Sequence, residues 1–120
     1  MSWIQTPNLA LLEQFLDLAA FRHTLIASNL ANIDTPRYRT LDFNFQEELR
    51  RAGWPLDSAT GEPVVREVPG LIERPDGNNV SLERETLLLA ETQLRFRVAV
   101  DLLRAEMRHL RSAIQEGRGP

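Results

Sequence analysis

Apolar residues concentrate in the first and last thirds of this 120-residue chain, and they recur there at helical spacing. From residue 8 to residue 33 they follow steps of three and four residues, which places them on one stripe of a helix. A second apolar line widens this stripe, so the helix needs more than one packing partner. The first line is Leu9, Leu12, Leu16, Ala19, Ile26, Leu30 and Ile33, with His23 as its polar member, and the second is Leu11, Phe15, Leu18 and Leu25.

Capping residues and a proline mark the two ends of this first helix. Thr6 or Asn8 can cap the free backbone N–H groups of its first turn. Pro36 disfavours helical geometry at the residue before it, so we expect the helix to stop near Asn32 or Ile33.

A longer helix is predicted near the C-terminus. Ser81 is its expected N-cap, and Glu83 and Glu85 fall in the first turn, where the helix dipole favours acids. Gly117 is the expected stop. The apolar arc is again broad, with one line of Leu89, Phe96, Ala99, Leu103, Met107, Leu110 and Ile114 and another of Leu87, Ala90, Leu94, Val98, Leu102 and Ala105.

The middle of the chain is irregular. Residues 41–45 alternate apolar and polar, which predicts an extended segment with one apolar face, and residues 46–52 can add a short helical turn. Gly and Pro are so dense between residues 53 and 77 that no long helix can form there. Within that stretch, residues 64–68 have the β-branched content of a strand, which Leu71-Ile72 can extend in a small hairpin. We expect mobility here until a partner binds.

The predicted fold class is therefore mainly α, with long N- and C-terminal helices forming a coiled-coil-like pair around an irregular, partly mobile middle that contains at most a short β-hairpin. One domain of residues 1–120 is expected, divided into a helix at 6–33, a middle at 34–79 and a helix at 81–115. Two helices with such wide apolar arcs cannot cover each other completely, so their exposed faces would be interaction surfaces. The residues expected to pack between helices are Leu9, Leu12, Leu16, Ile26, Leu87, Leu94, Phe96, Val98, Leu102, Leu103 and Leu110.

Charge and composition exclude several functions. The net charge of −3 is small and both signs are interleaved, so nucleic-acid binding is disfavoured. Without cysteine, the chain has no disulfides or thiolate sites. His23 and His109 fall on separate helices and no catalytic or phosphate-binding motif occurs, so we expect no enzyme activity, cofactor, metal or small-molecule substrate. The first twenty residues lack the basic and apolar regions of a cleaved signal peptide.

Residues 27–39 carry a specific motif, Ala-Ser-Asn-Leu-Ala-Asn-Ile-Asp-Thr-Pro-Arg-Tyr-Arg. It resembles the N-terminal signature of flagellar rod, hook and related axial proteins, in which a helix carrying Asn-Leu-Ala-Asn is followed by Thr-Pro and an aromatic residue. Arg37 replaces the Gly or Asn often found there, which argues against a left-handed turn at that position. The resemblance assigns an assembly motif to Asn29, Leu30, Asn32, Thr35, Pro36 and Tyr38.

The segments at 77–85 and 94–97 are similar to proximal rod proteins of the FlgB type. This resemblance implies a structural subunit of the bacterial flagellar basal body that polymerises through its terminal helices into a torque-transmitting shaft. It further implies export through the flagellar type III apparatus, without a cleaved signal, to the periplasm-spanning rod. The implied partners are copies of the chain, other rod proteins, components of the rod base near the membrane ring, and the export apparatus.

Periodicity alone leaves other hypotheses open. The two helices can close as an ordinary hairpin within one molecule. Such a hairpin would suit a soluble adaptor that binds another protein through an apolar helix face, without forming a filament.

Overall fold

Three helices and two short strands make up the part of the chain that the computed structural model describes, residues 6–51 and 62–117. In chain order they are α1 (Pro7–Ala31), β1 (Leu41–Asp42), α2 (Phe45–Arg51), β2 (Arg66–Glu67) and α3 (Leu82–Glu116). The strands pair antiparallel, with Leu41 opposite Glu67 and Asp42 opposite Arg66. The predicted fold class, mainly helical with two long terminal helices and little β-structure, is confirmed.

Helix α1 is bounded by capping contacts at both ends. The side chain of Thr6 accepts a hydrogen bond from the backbone N–H of Leu9 at 3.2 Å. Pro7 follows at the first helical position, where a missing N–H costs little because first-turn N–H groups have no partner within the helix. At the other end, the backbone N–H of Asn32 donates to the carbonyl of Ser28 at 3.1 Å and closes the last turn.

Helix α3 is longer than α1, with 35 residues against 25. The Ser81 side chain caps it by accepting a hydrogen bond from the backbone N–H of Arg84 at 3.2 Å. Glu83 and Glu85 occupy the first turn, and Gly117 caps the C-terminal end. At 1.5 Å per residue, α3 is about 52 Å long.

The two long helices pack against each other and run antiparallel. Asn29, near the end of α1, hydrogen-bonds to Glu85 in the first turn of α3. Ala20, earlier in α1, lines a groove together with Val100, which lies further along α3. Counting back from Asn29 at equal rise per residue, the first turn of α1 reaches only to about residue 107 of α3. The last turns of α3 therefore extend beyond α1.

The face of α3 that is buried in this pair is small and polar rather than leucine-rich. Glu85, Thr92 and Ala99 are its buried members, spaced seven residues apart. A repeat of seven is the period of a coiled-coil seam.

The apolar core lies where β1 and α2 meet α1. Phe43 and Phe45 are buried there together with Ala19 of α1. The ring centroids of Phe15 and Phe45 are 5.1 Å apart in an edge-on arrangement, and those of Phe21 and Phe43 are 5.6 Å apart. Both distances are favourable for aromatic pairs.

Two predictions about the middle are wrong in detail. Alternation predicts Asp42 on a polar face, but Asp42 is buried because Arg22 and Arg84 both bind its carboxylate. Leu71-Ile72 does not extend the sheet, since Ile72 lies outside the strands with 89% of its surface exposed. The predicted mobility stays a prediction, and residues 52–61 of the Gly- and Pro-rich stretch lie outside the described residues.

Candidate functional site

Asn29 of the predicted assembly motif is buried inside its own chain, with 1% of its surface exposed. Its Oδ1 accepts hydrogen bonds from the Tyr38 hydroxyl at 3.0 Å and from the backbone N–H of Leu41 at 3.2 Å. Its Nδ2 donates to the Leu41 carbonyl at 2.9 Å and to Glu85 Oε2 at 3.3 Å. Both donor hydrogens and both lone pairs of the amide are used, so Asn29 binds the β1 backbone as a neighbouring strand would.

Asn32 and Thr35 build the turn that follows α1. Asn32 Nδ2 donates to the Ser28 carbonyl at 2.8 Å, and the Thr35 hydroxyl donates to Asn32 Oδ1 at 3.0 Å. Pro36 is exposed beside them. These contacts stabilise the turn that ends α1.

The prediction against a left-handed turn at Arg37 is wrong. Its φ is +63°, in the region that side chains other than Gly, Asn and Asp rarely adopt. The backbone N–H of Arg37 donates to the Asp76 carbonyl at 2.9 Å, which ties this turn to the segment before α3. The left-handed conformation is thus held by a contact 39 residues away in sequence, and a glycine is not required.

Asn78 completes the turn from the opposite side of the sequence. Its Nδ2 donates to the carbonyls of Asn32 at 2.9 Å and Thr35 at 2.8 Å. Its Oδ1 accepts hydrogen bonds from Arg74 Nη2 and the backbone N–H of Val80, each at 2.8 Å. Asn78 is fully buried and is, like Asn29, fully bonded.

Asn79 makes the corresponding contact with the segment before β1. The Oδ1 atom of Asn79 accepts a hydrogen bond from the backbone N–H of Thr40 at 2.7 Å. The Thr40 hydroxyl donates to the backbone carbonyl of Asn79 at 3.3 Å. Both residues are buried. Sequence reasoning did not name Asn78 and Asn79 as site residues. The signal was present, because both lie in the segment at 77–85 that carries the second part of the resemblance.

A charge cluster with two buried acids, Asp42 and Glu85, joins these contacts to α3. Arg84 Nη1 binds Glu85 Oε1 at 2.7 Å, and Arg84 Nη2 binds Asp42 Oδ2 at 2.6 Å. Arg22 Nη2 binds the same oxygen of Asp42 at 2.9 Å. Two acids and two arginines are therefore neutralised where α1, β1 and α3 meet.

No protein-family model matches the chain, but similar sequences occur among flagellar proteins. The flagellar basal body rod protein FlgB of Salmonella typhimurium is 26% identical over 88% of this chain and 91% of its own length. FlgB of Escherichia coli K12 is 25% identical with the same coverage. FlgB of Cereibacter sphaeroides is 33% identical over 85% of this chain and 89% of its own length. The chain belongs to the FlgB family of flagellar basal body rod proteins.

The remaining motif residues of this FlgB-family chain face outward or lie at the edge of the helix pair. Leu30 is half-buried, whereas Thr35 and Pro36 are exposed. The motif therefore has an inner part, Asn29 with Tyr38, and an outer part at the turn, where Asn32, Thr35 and Pro36 lie. Its role in assembly stays a prediction.

The predicted packing residues separate into two groups. Leu9 and Ile26 are buried against other parts of the same chain, and Leu12, Leu16, Leu103 and Leu110 are half-buried. The others are exposed members of α3, namely Leu87 (70% of its surface), Leu94 (62%), Phe96 (42%), Val98 (49%) and Leu102 (54%).

A groove runs between the two long helices of this FlgB-family chain. The groove between α1 and α3 has a volume of about 900 Å³, and His23, predicted inside the apolar stripe, lies exposed on its wall with Asp101 and Arg104. Across residues 6–51 and 62–117, no three His, Asp or Glu side chains gather as a metal site. No helix in those ranges is both long and apolar enough to cross a membrane.

Proposed function

We propose that this chain is a structural subunit of the proximal rod of the bacterial flagellar basal body, and that it polymerises through its terminal helices into the torque-transmitting shaft. The observation that carries the proposal is an exposed apolar stripe on α3. We call it the α3 stripe, and it consists of Leu87, Leu94, Val98 and Leu102.

The α3 stripe lies on the side of the helix that α1 does not cover. Residues two apart on a helix differ by about 200° around its axis, so Leu87 and Leu94 point nearly opposite to Glu85 and Thr92. Glu85 and Thr92 are buried, and the leucines are exposed. Four large apolar side chains in line exceed the isolated exposed residues found on any protein surface, and such patches mark sites of protein association.

Family membership supports the choice of partners for the α3 stripe. Neighbouring copies and other rod proteins supply helices of the same kind, which can bury Leu87, Leu94, Val98 and Leu102 in a multi-helix bundle. The proposal also places the subunit against the rod base near the membrane ring, and it assigns export through the flagellar type III apparatus without a cleaved signal peptide. No observation favours the adaptor hypothesis over this one.

The mechanism in this proposal is mechanical and needs no catalytic group. Torque passes between subunits through buried side-chain contacts, and the stripe supplies them when the subunit assembles. Amphipathic helices gain most of their stability from packing, so helical order away from the core increases as neighbours bind. Assembly and the final step of folding are therefore coupled.

Replacing Leu94 by Asp tests the proposal. A charge in the middle of the stripe would have to be buried without a partner, so we expect rod assembly to be lost while the protein is still expressed. The measurement is motility, together with the presence of rods in isolated basal bodies, in cells whose own copy of the gene carries the change.

Gln93→Asp is the matched control. It introduces the same side chain one residue away, on an exposed position outside the α3 stripe, so helix propensity and charge change in a similar way. We expect the control to assemble normally. Normal motility with Leu94→Asp would refute assembly through this stripe.

A further inference from the structure

We propose that the asparagines of the motif act within their own subunit as a clamp that positions α1 against α3, and that they do not bind a neighbouring subunit. The asparagine clamp is Asn29, Asn32, Asn78 and Asn79. The inference rests on the contacts within one chain and does not depend on polymerisation.

Two members of the clamp, Asn29 and Asn78, have no side-chain hydrogen-bonding capacity left for a partner. Asn29, Asn78 and Asn79 have at most 2% of their surface exposed. The side-chain amides of Asn29 and Asn78 each make four hydrogen bonds to the same chain. A subunit interface could reach these groups only by breaking bonds that already exist, and an unsatisfied buried amide is costly.

The bonds of the clamp connect the end of α1 with the beginning of α3. Asn78 binds the carbonyls of Asn32 and Thr35, which leave α1, while its own backbone leads directly into α3. Asn29 reaches in the other direction, from α1 to Glu85 in the first turn of α3. The end of one helix and the beginning of the other are therefore held together by reciprocal contacts.

The clamp is continuous with the charge cluster of Asp42, Arg22, Arg84 and Glu85. The hydroxyl of Tyr38 binds Asn29, Asn29 binds Glu85, and Glu85 binds Arg84. Arg84 also binds Asp42, and Asp42 is bound in turn by Arg22 of α1. Apart from Arg22 Nε, the buried side-chain atoms of this network are paired. Such a network favours one arrangement of its elements, because a shift leaves further polar groups unpaired. The network therefore fixes the register of α1 on α3, and with it the direction in which the α3 stripe faces.

Amide hydrogen exchange on the free, full-length subunit tests the clamp at individual bonds. The Leu41 amide is bound by Asn29, whereas the Thr40 amide is bound by Asn79. We expect Asn29→Ala to accelerate exchange at Leu41, and Asn79→Ala to accelerate exchange at Thr40, each by about tenfold, because one buried hydrogen bond is lost in each case.

Asn8→Ala is the matched control, because Asn8 is an exposed asparagine of the same helix α1. It should leave both exchange rates unchanged. Tyr38→Phe is the milder variant if Asn29→Ala fails to fold, since it removes only the hydroxyl that donates to Asn29. We expect it to accelerate exchange at Leu41 by a smaller factor.

Two results would overturn the inference. One is loss of rod assembly with Asn29→Ala while Leu41 exchange stays at the wild-type rate, which would make the motif a contact between subunits. The other is fast exchange at Leu41 and Thr40 in the wild-type free subunit, which would mean that the clamp does not form there. The Leu94→Asp variant separates the two proposals. Loss of assembly in this variant supports the proposed function, and normal exchange at both amides shows that the clamp still forms.

Discussion

At the scale of single residues, Arg37 and Gly77 show how one close backbone contact constrains two distant positions. Gly77 has a φ of +84°, and a Cβ atom built there would lie 3.3 Å from the Cα and Cγ atoms of Arg37. Gly77 therefore has two reasons to be glycine, its conformation and the space that Arg37 occupies. Gly70 has a similar φ of +79°, but nothing lies within 4 Å of the corresponding Cβ position.

Comparing Gly77 with Gly70 separates the energetic cost of left-handed backbone strain from the cost of the contact with Arg37. We expect Gly77→Ala to lower the free energy of unfolding by about 2 kcal/mol, through left-handed strain plus the close approach to Arg37. Gly70→Ala should lower it by about 1 kcal/mol, through strain alone. Urea unfolding followed by circular dichroism measures both. Equal losses would show that the contact with Arg37 costs nothing.

Residue roles were predictable only where their partners are close in sequence. Thr6 and Ser81 cap helices through bonds to residues three positions away, and both were among the expected caps. Glu85 was expected as a first-turn acid, yet it is completely buried because Asn29, 56 residues earlier, binds it. The motif at 27–39 identified Asn29, but nothing in its spacing indicates that Leu41 and Glu85 are its partners.

At the scale of elements, the two long helices were predictable because caps, breakers and apolar period agree. The face of α3 that packs on α1 was not predictable from the sequence. The sequence contains two apolar lines, but the buried seam is centred on Glu85, Thr92 and Ala99, two of which are polar. Hydrophobicity cannot identify a seam in which the buried acid Glu85 is bound by Asn29 of α1 and by Arg84. The short sheet was similarly hidden, because β1 pairs with a segment that lies beyond α2.

The small residue in this seam makes the helix packing testable. Ala99 is 2% exposed, so Ala99→Leu should force the helices apart and lower the free energy of unfolding by about 2 kcal/mol. Ala90→Leu is the control, since Ala90 is an exposed residue of the same helix and should change stability by less than about 0.5 kcal/mol. Thermal unfolding of the two variants would be compared. Equal melting temperatures would contradict the position of the seam.

At the scale of the whole molecule, the subunit is long and thin, with extents of 74 × 27 × 19 Å. An elongated shape has much surface for its volume, so a single core cannot cover the apolar arcs of both helices. Large apolar side chains stay exposed along α3 as a consequence, including Met107 and Ile114 near the end that extends beyond α1.

This exposure predicts that association and helical order are linked. We expect the helical signal in circular dichroism to rise with protein concentration in the wild-type chain, because burying the α3 stripe stabilises the helices. Leu94→Asp should weaken this dependence, and Gln93→Asp should preserve it. A helical signal that does not change with wild-type concentration would contradict coupled folding and assembly.

The antiparallel arrangement of α1 and α3 also gives the molecule a direction. Thr6 and Gly117 lie towards one end, and the asparagine clamp lies at the other. A dense polar network holds one end together. At the other end, the last turns of α3 extend beyond the start of α1. If copies of such a subunit stack head to tail, as the proposed function requires, every copy points the same way, and the two ends of the resulting shaft expose different surfaces.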